Sequence, residues 1–404
     1  MAHSPERLEA RQLAERSGVD VETIHRYTSL GFLAPEDGTY SANDVARVRL
    51  VGSCDRAGLP LEGIAEAVER GMLSFAFLDM AQYRRFGDFG DRTYGQVAAE
   101  AGVTFEFVQR TLEATGLPVP ESEDDRLREN DELLIRVLSI TRAFGTSEEA
   151  VLRVTRVYGD SLRRITEAEN TFYRNQIEQP VVDSGIPLGQ AMAAASQFGN
   201  QWNTAGDQSI MALYHRHQES VWIGGLVARI EEALEQLGVH ERLTRPPAMV
   251  FLDLAGYTRL TEERGDTVAA ELATELSGIT QTTSQQHGGR PVKWLGDGIM
   301  FHFPDPRRSV AAALEMVERT PRAGLPPAHV GIAAGPVVQQ DGDYFGRTVN
   351  MAARISSRAA PEEVLVTDEV VRLAEPDGVR FEPIGEAELR GFSDPVTLHR
   401  AARG

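Results

Sequence analysis

The segment PVKWLGDGIMFHF, Pro291 to Phe303, decides how the C-terminal third of the chain is read. It consists of two short apolar strands joined by a tight Gly-Asp-Gly turn. Lys293 stands in the first strand and Asp297 at the tip. A lysine or carboxylate among apolar neighbours is costly unless it finds a partner. The hairpin alone offers none, so a ligand is expected there.

The pattern on either side builds an α+β unit. Upstream, Pro246-Pro247 cannot continue a helix, and AMVFLDL follows as a buried-strand run. A helical stretch from Tyr257 ends at Gly288-Gly289 and leads into the hairpin. Downstream come a helix near Arg307–Glu318, the strand AHVGIAAGPVV, a helix starting near Gly346 and short final strands. The order strand–helix–strand–strand–helix–strand predicts helices on one face of an antiparallel sheet.

Two further stretches carry chemistry. In VFLDLAGYT a strand closes at Asp253, and a Gly256-containing turn opens the next helix, where backbone amides favour phosphate. Two carboxylates such as Asp253 and Asp297 repel unless a cation lies between them. Hard divalent ions suit such a pair, with phosphate oxygens completing the shell. In GDYFGRTVNMAARIS, Asn350 and Arg354 are four residues apart and share one helix face. The small residues between them permit close packing on a sheet.

Together these stretches resemble the catalytic domain of class III nucleotidyl cyclases, over about residues 246–404. FLDLAGYT is similar to that family's metal motif, VKWLGDG to its Lys–Gly-Asp hairpin, and DYFGRTVNMAAR to its specificity and transition-state segment. The diguanylate-cyclase signature is absent from the hairpin tip. The resemblance implies a ferredoxin-like α+β catalytic domain that converts ATP to 3′,5′-cyclic AMP and pyrophosphate. It implies two Mg²⁺ or Mn²⁺ ions per site on Asp253, Asp297 and the Leu254 carbonyl. Lys293 and Asp343 would read adenine, Asn350 would orient the ribose, and Arg354 would stabilise charge on the phosphate. The ribose 3′-oxygen attacks its own α-phosphate, so no protein nucleophile is required. Guanylyl cyclases carry Glu and a small residue such as Cys at the base-reading positions. The family's architecture implies a homodimer with each site built from both chains. Some relatives carry a basic triphosphate-binding residue just before the strand VLVT, where this chain has Glu362 and Glu363. The triphosphate would then rest on the metals, on backbone amides at Gly256, Tyr257 and Thr258, and on Arg390 as a further candidate.

The N-terminal half contains an internal repeat, about residues 10–72 and 94–159. Gln12, Ala14, Gly18, Val19, Glu22 and Arg26 match Gln96, Ala98, Gly102, Val103, Glu106 and Arg110 at one offset. Asn43-Asp44 and Asn130-Asp131 stand where a third helix would be capped. Each copy reads as a helix-turn-helix unit. The first resembles the winged helix-turn-helix of mercury-resistance-type regulators, and the pair resembles the regulatory domain of soluble bacterial class III cyclases. DNA binding is the alternative: a transcriptional regulator whose cyclase-like domain binds nucleotide without turnover. Residues 1–80, however, carry 13 acidic and 8 basic side chains. A DNA module needs a basic stripe, so a packing and regulatory role is expected.

The divisions predicted are 1–90, the first repeat; 91–217, the second repeat and a helical extension; 218–245, an amphipathic linker helix; and 246–404, the catalytic domain. The N-terminal region is expected to be all-α. In the linker, Ile223, Val227, Ile230, Leu234 and Leu237 are spaced as a coiled-coil seam. A small molecule, a lipid or a proton is the expected signal, with His215 and His217 as candidate pH sensors. The chain has 404 residues, 42% of them apolar, and a net charge of −19. That acidity disfavours general nucleic-acid or anionic-membrane binding. Cys54 is the sole cysteine, which leaves no internal disulfide. With no signal-peptide core and no run of 18 apolar residues, a cytoplasmic protein is expected.

Overall fold

A Gly after each first helix organises both N-terminal repeats. In the computed structural model, Gly18 and Gly102 adopt φ of 73° and 68°, left-handed values that end the helix and turn the chain. Asp20 and Thr104 then cap the second helix, each accepting from the amide three residues on. The structure describes residues 6–75, 78, 86–186, 188–239, 245–374 and 378–404; side chains at 188, 192, 196–201, 203, 204, 258, 266 and 267 lie outside it. The chain divides into two units, Met1–Val227 and Ala228–Gly404.

In the first unit the first repeat comprises β1 (Arg7–Leu8), α1 (Ala10–Ser17), α2 (Val21–Ser29), β2 (Tyr40–Ser41), α3 (Asp44–Arg56) and α4 (Leu61–Glu69). The second comprises β3 (Phe89–Thr93), α5 (Tyr94–Ala101), α6 (Phe105–Thr115), β4 (Arg126–Arg128), α7 (Glu129–Ala143) and α8 (Glu148–Tyr173). A π-helical turn, Arg174–Glu178, leads to α9 (Gln179–Asp183), and α10 runs from Leu188 to Gln236 as one helix of 49 residues. The region is helical, with one small two-stranded ladder added to each repeat. Each repeat has its own core, around Leu13, Ile24 and Val48 in the first and Val97, Val108 and Ile135 in the second.

The Asn-Asp pairs do not cap as expected. Asn43 holds the N-cap position without a side-chain cap, while Asp44, buried inside the helix, accepts from the Ser41 amide at 2.9 Å. In the second repeat the helix already begins at Glu129, and Asp131 accepts from the Tyr94 hydroxyl at 2.5 Å. In both copies the aspartate ties the helix start to neighbouring structure instead.

The second unit contains β5 (Ala248–Leu254), α11 (Tyr257–Arg264), α12 (Asp266–Gln286), β6 (Arg290–Leu295), β7 (Gly298–Phe303), α13 (Pro306–Arg322), β8 (Ala328–Ala334), β9 (Val338–Gln340), β10 (Asp343–Phe345), α14 (Arg347–Ser356), β11 (Val364–Thr367), α15 (Asp368–Ala374), β12 (Val379–Ala387) and β13 (Val396–Arg403). Seven strands form one sheet in the order β12-β13-β11-β8-β5-β7-β6. The β8–β11 pair is parallel and the others antiparallel, so the sheet is mixed. Strands β9 and β10 form a separate hairpin.

Alternation along β5 assigns the two faces. Ala248, Val250, Leu252 and Leu254 join the core shared with Leu276, Val310, Met316 and Val370 from α12, α13 and α15. Met249 faces the other way and packs with Met300, Ala333, Val349 and Ala352 of α14. Helices therefore cover both faces, where the sequence pattern predicted one. The approach of α14 depends on Gly331 of β8: a Cβ there would lie 2.1 Å from the Ser356 amide nitrogen. Among the described residues no helix is long and apolar enough to cross a membrane.

Candidate active site

The sheet face that receives α14 also gathers the polar residues. Asp253 is opposite His329 in the β5–β8 register. Both alternate with core residues and so share the α14 face. The Asp253 carboxyl is pushed above the usual carboxylate range, first by burial and then by the neighbouring Asp297 carboxylate; His329 opposes this. His329 Nε2 lies 3.9 Å from Asp253 Oδ2, and its Nδ1 is 2.9 Å from the Ser356 carbonyl at the end of α14. Two carboxylates that disfavour each other's charge form a donor set suited to a hard divalent cation. Among the described residues no three acidic, histidine or cysteine side chains close a complete cage.

Asp253 leads directly into a tight turn. Gly256 adopts φ 75°, which favours glycine, and α11 starts at Tyr257. The Tyr257 hydroxyl donates to the Ala269 carbonyl at 2.8 Å, so its side chain is occupied in packing α11 against α12. The Thr258 side chain lies outside the described residues. Leu254 is buried in the core.

The hairpin lysine has a partner that its own hairpin could not supply. Lys293 on β6 contacts Asp343 on β10. The other Asp343 oxygen accepts from the Tyr344 amide at 2.8 Å, and Lys293 Nζ lies 6.0 Å from the centre of the Phe345 ring. Lys293 is also the only lysine among 41 basic residues, a signal that a simple count reveals.

Asn350 and Arg354 lie one turn apart on the exposed face of α14, while Val349, Ala352 and Ile355 are buried beneath them. Within one chain, no hydrogen bond or ion pair among the described residues joins the Asp253–Asp297 pair, the Lys293–Asp343 pair and the Asn350–Arg354 face to one another. Arg390 is exposed. Glu363, which stands where some relatives carry a basic residue, accepts from the Ala360 amide and pairs with Arg400 at 2.6 Å. Sequence reasoning missed His329, because only strand register brings it to Asp253.

Residues 240–400 match the adenylate and guanylate cyclase catalytic domain, and residues 36–218 match the adenylate cyclase regulatory domain. The chain is a class III adenylyl cyclase with an N-terminal regulatory domain. Similar proteins include the pH-sensitive adenylate cyclase of Mycobacterium tuberculosis, 28% identical over 76% of this cyclase and 77% of that protein. An adenylate cyclase of Streptomyces coelicolor is 28% identical over 67% and 68% of the two chains. An uncharacterized protein of M. tuberculosis is 27% identical over 92% and 94%. Among solved structures, the adenylyl cyclase CyaB of P. aeruginosa covers 40% of this cyclase and 95% of its own chain, at 22% identity and a TM-score of 0.37.

In the regulatory region of the cyclase, the helix-turn-helix resemblance meets an unfavourable surface. Arg26, the one arginine of α2, is paired with Asp55 at 3.0 Å. Its charge is thus balanced within the repeat.

Proposed function

We propose that this adenylyl cyclase works as a homodimer with two equivalent sites, each holding two divalent ions and each completed by both chains. The observation that carries the proposal is the Lys293–Asp343 pair. A donor beside an acceptor matches adenine, whose ring nitrogen accepts and whose 6-amino group donates. Guanine would leave Asp343 facing an oxygen, and a stranded polar group discriminates strongly.

Asp253, Asp297 and the Leu254 carbonyl of one chain would hold Mg²⁺ or Mn²⁺, with substrate oxygens supplying the remaining ligands. Bound there, the ions supply Lewis-acid stabilisation of phosphate charge and acidify the attacking hydroxyl. The amides at the start of α11, from Gly256 to Thr258, would cradle the triphosphate. From the partner chain, Lys293 and Asp343 would hold the base, Asn350 the ribose, and Arg354 the charge on the phosphate. Asn350 and Arg354 are exposed, and among the described residues neither side chain has a hydrogen-bond or ion-pair partner within its own chain, which leaves their donors available across a dimer. Positioning and electrostatics then account for the rate. Exposed Trp294 and Leu295 follow Lys293 on β6, and exposed Val338 and Phe345 pair on the β9–β10 hairpin; they offer apolar surface for a partner.

We assign residues 1–217 to regulation and dimerisation, 218–245 to a linker that begins as the last part of α10, and 246–404 to catalysis. Leu133, Val137 and Ile140 of α7, with Phe144 at its C-cap, form an exposed apolar stripe, and Ile223, Val227, Ile230 and Leu234 form another on α10. Both suit a second copy of the chain. A name such as that of the pH-sensitive relative makes protons a candidate signal, and His215 and His217 are exposed on α10.

The test is incubation of purified protein with ATP or GTP and Mn²⁺, with the cyclic product detected directly. Cyclic AMP should dominate. No cyclic product from ATP would overturn the reading.

A further inference from the structure

Asp343 does not reach Lys293 as part of the main sheet. It sits on the β9–β10 hairpin, a separate two-stranded ladder turned by Asp341 and Gly342, whose φ values of 54° and 80° suit a tight two-residue turn. A two-stranded hairpin is marginal by itself, so something must fix it to the body of the domain. The neighbour of Asp343 does so. Tyr344 is 4% exposed, and its ring lies flat on His302 of β7, with centroids 4.4 Å apart and planes 9° from parallel. Its hydroxyl accepts from Arg290 Nη2 at 2.7 Å, and the same guanidinium lies 5.7 Å from the ring centre. Arg290 and His302 are direct partners across the β6–β7 register. Burial and the nearby Arg290 charge keep the His302 imidazole neutral, which suits a stacked ring.

We infer that Tyr344, clamped between His302 and Arg290, is a positioning residue for purine selection: it holds the hairpin so that Asp343 meets Lys293 at the spacing of an adenine edge. This rests on the proposed roles of Lys293 and Asp343. Tyr344 itself is buried. It acts through one backbone step, because the Tyr344 amide also donates to Asp343 Oδ1. Small displacements of a positioning group cost rate out of proportion to their size. Loosening the clamp therefore degrades discrimination before it degrades folding.

The experiment uses the full-length chain and compares kcat/KM for ATP and GTP. Tyr344→Phe and Arg290→Met break the hydrogen bond from its two ends without opening a cavity. Each should lower the ATP preference about three- to tenfold, mainly through KM for ATP. The double variant should be no worse than either single one, as expected for one shared contact. His302→Ala should lower the preference further, and His302→Phe, which keeps a flat ring, should restore it. Because the chain has one lysine, ¹³C-labelled lysine gives a single side-chain probe at Lys293. Its resonance should move in the Tyr344 and Arg290 variants and return towards wild type in His302→Phe. Wild-type ATP preference and an unmoved resonance in folded variants would overturn the clamp. If Lys293→Met and Asp343→Ala abolish selectivity in the same assay, the base reading stands without it. If those two also leave selectivity unchanged, both fall.

Discussion

Lys293 and Asp343 are fifty residues apart in sequence and in contact in the fold. Nothing in the β6–β7 hairpin neutralises the lysine; the partner arrives on β10. The pair is accessible, with 40% and 27% of the two side chains exposed, so a ligand edge can approach both groups. Replacing them by the guanylyl-cyclase types, Lys293→Glu with Asp343→Cys, should reduce kcat/KM for ATP at least about 100-fold and raise it for GTP. Unchanged selectivity in a folded double variant would refute the base-reading role.

The proposed division of the site between chains predicts complementation. Asp253→Ala and Arg354→Ala should each be nearly inactive. In an equal mixture half the dimers are mixed, each with one intact site of two, so about a quarter of wild-type activity should return. Verified heterodimers without activity would count against a shared site.

The Asp253–Asp297 repulsion predicts a cation effect on stability. Burial and Asp297 raise the Asp253 carboxyl, so its charged form is disfavoured in the folded chain. Without metal, this group's contribution favours folding at acid pH and is lost as pH rises through the raised folded value. A divalent ion should reverse that loss at neutral pH. Saturating Mn²⁺ should raise Tm by several degrees in the wild type and far less in Asp253→Asn, read by calorimetry.

His302 predicts the opposite pH behaviour. Burial, then the Arg290 charge, lower it from 6.5 to about 4. Its neutral form contributes fully above the unfolded value, and that contribution is lost as pH falls from 6.5 towards 4. The effect is roughly 2 kcal/mol after allowance for solvent screening. Between pH 7 and pH 5 the wild type should lose several degrees of Tm relative to His302→Phe. A constant difference between the two proteins would show that the imidazole titrates normally.

The proposed regulatory role of residues 1–217 predicts that the 246–404 fragment and the full chain respond differently to pH or added lipid when cyclic AMP output is measured. Identical profiles, at protein concentrations where both are dimeric, would leave residues 1–217 without a regulatory role.

Local rules made much of the candidate site legible. A strand that ends in Asp253 before a Gly256 turn, a charged hairpin, and Asn350 and Arg354 one helical turn apart are all encoded within a few residues. The repeat was legible too, because each copy repeats a Gly C-cap before the second helix. What escaped depends on register and on faces. His329 reaches Asp253 only through β5–β8 pairing, and Tyr344 finds His302 and Arg290 only once β10 is laid beside β6 and β7. The side of the sheet taken by α14 was hidden for the same reason: alternation assigns residues to two faces but does not say which helix will cover either.

The missing side chain at Gly331 has a mechanical consequence. With Ser356 set directly against the β8 backbone, α14 has no cushion of side chains on which to slide or tilt. Asn350 and Arg354 are therefore fittings on a rigid wall. If the enzyme is switched on and off, the wall must be carried bodily towards or away from its counterpart. A bulkier residue at position 331 would jam the fitting itself, whatever the state of the switch.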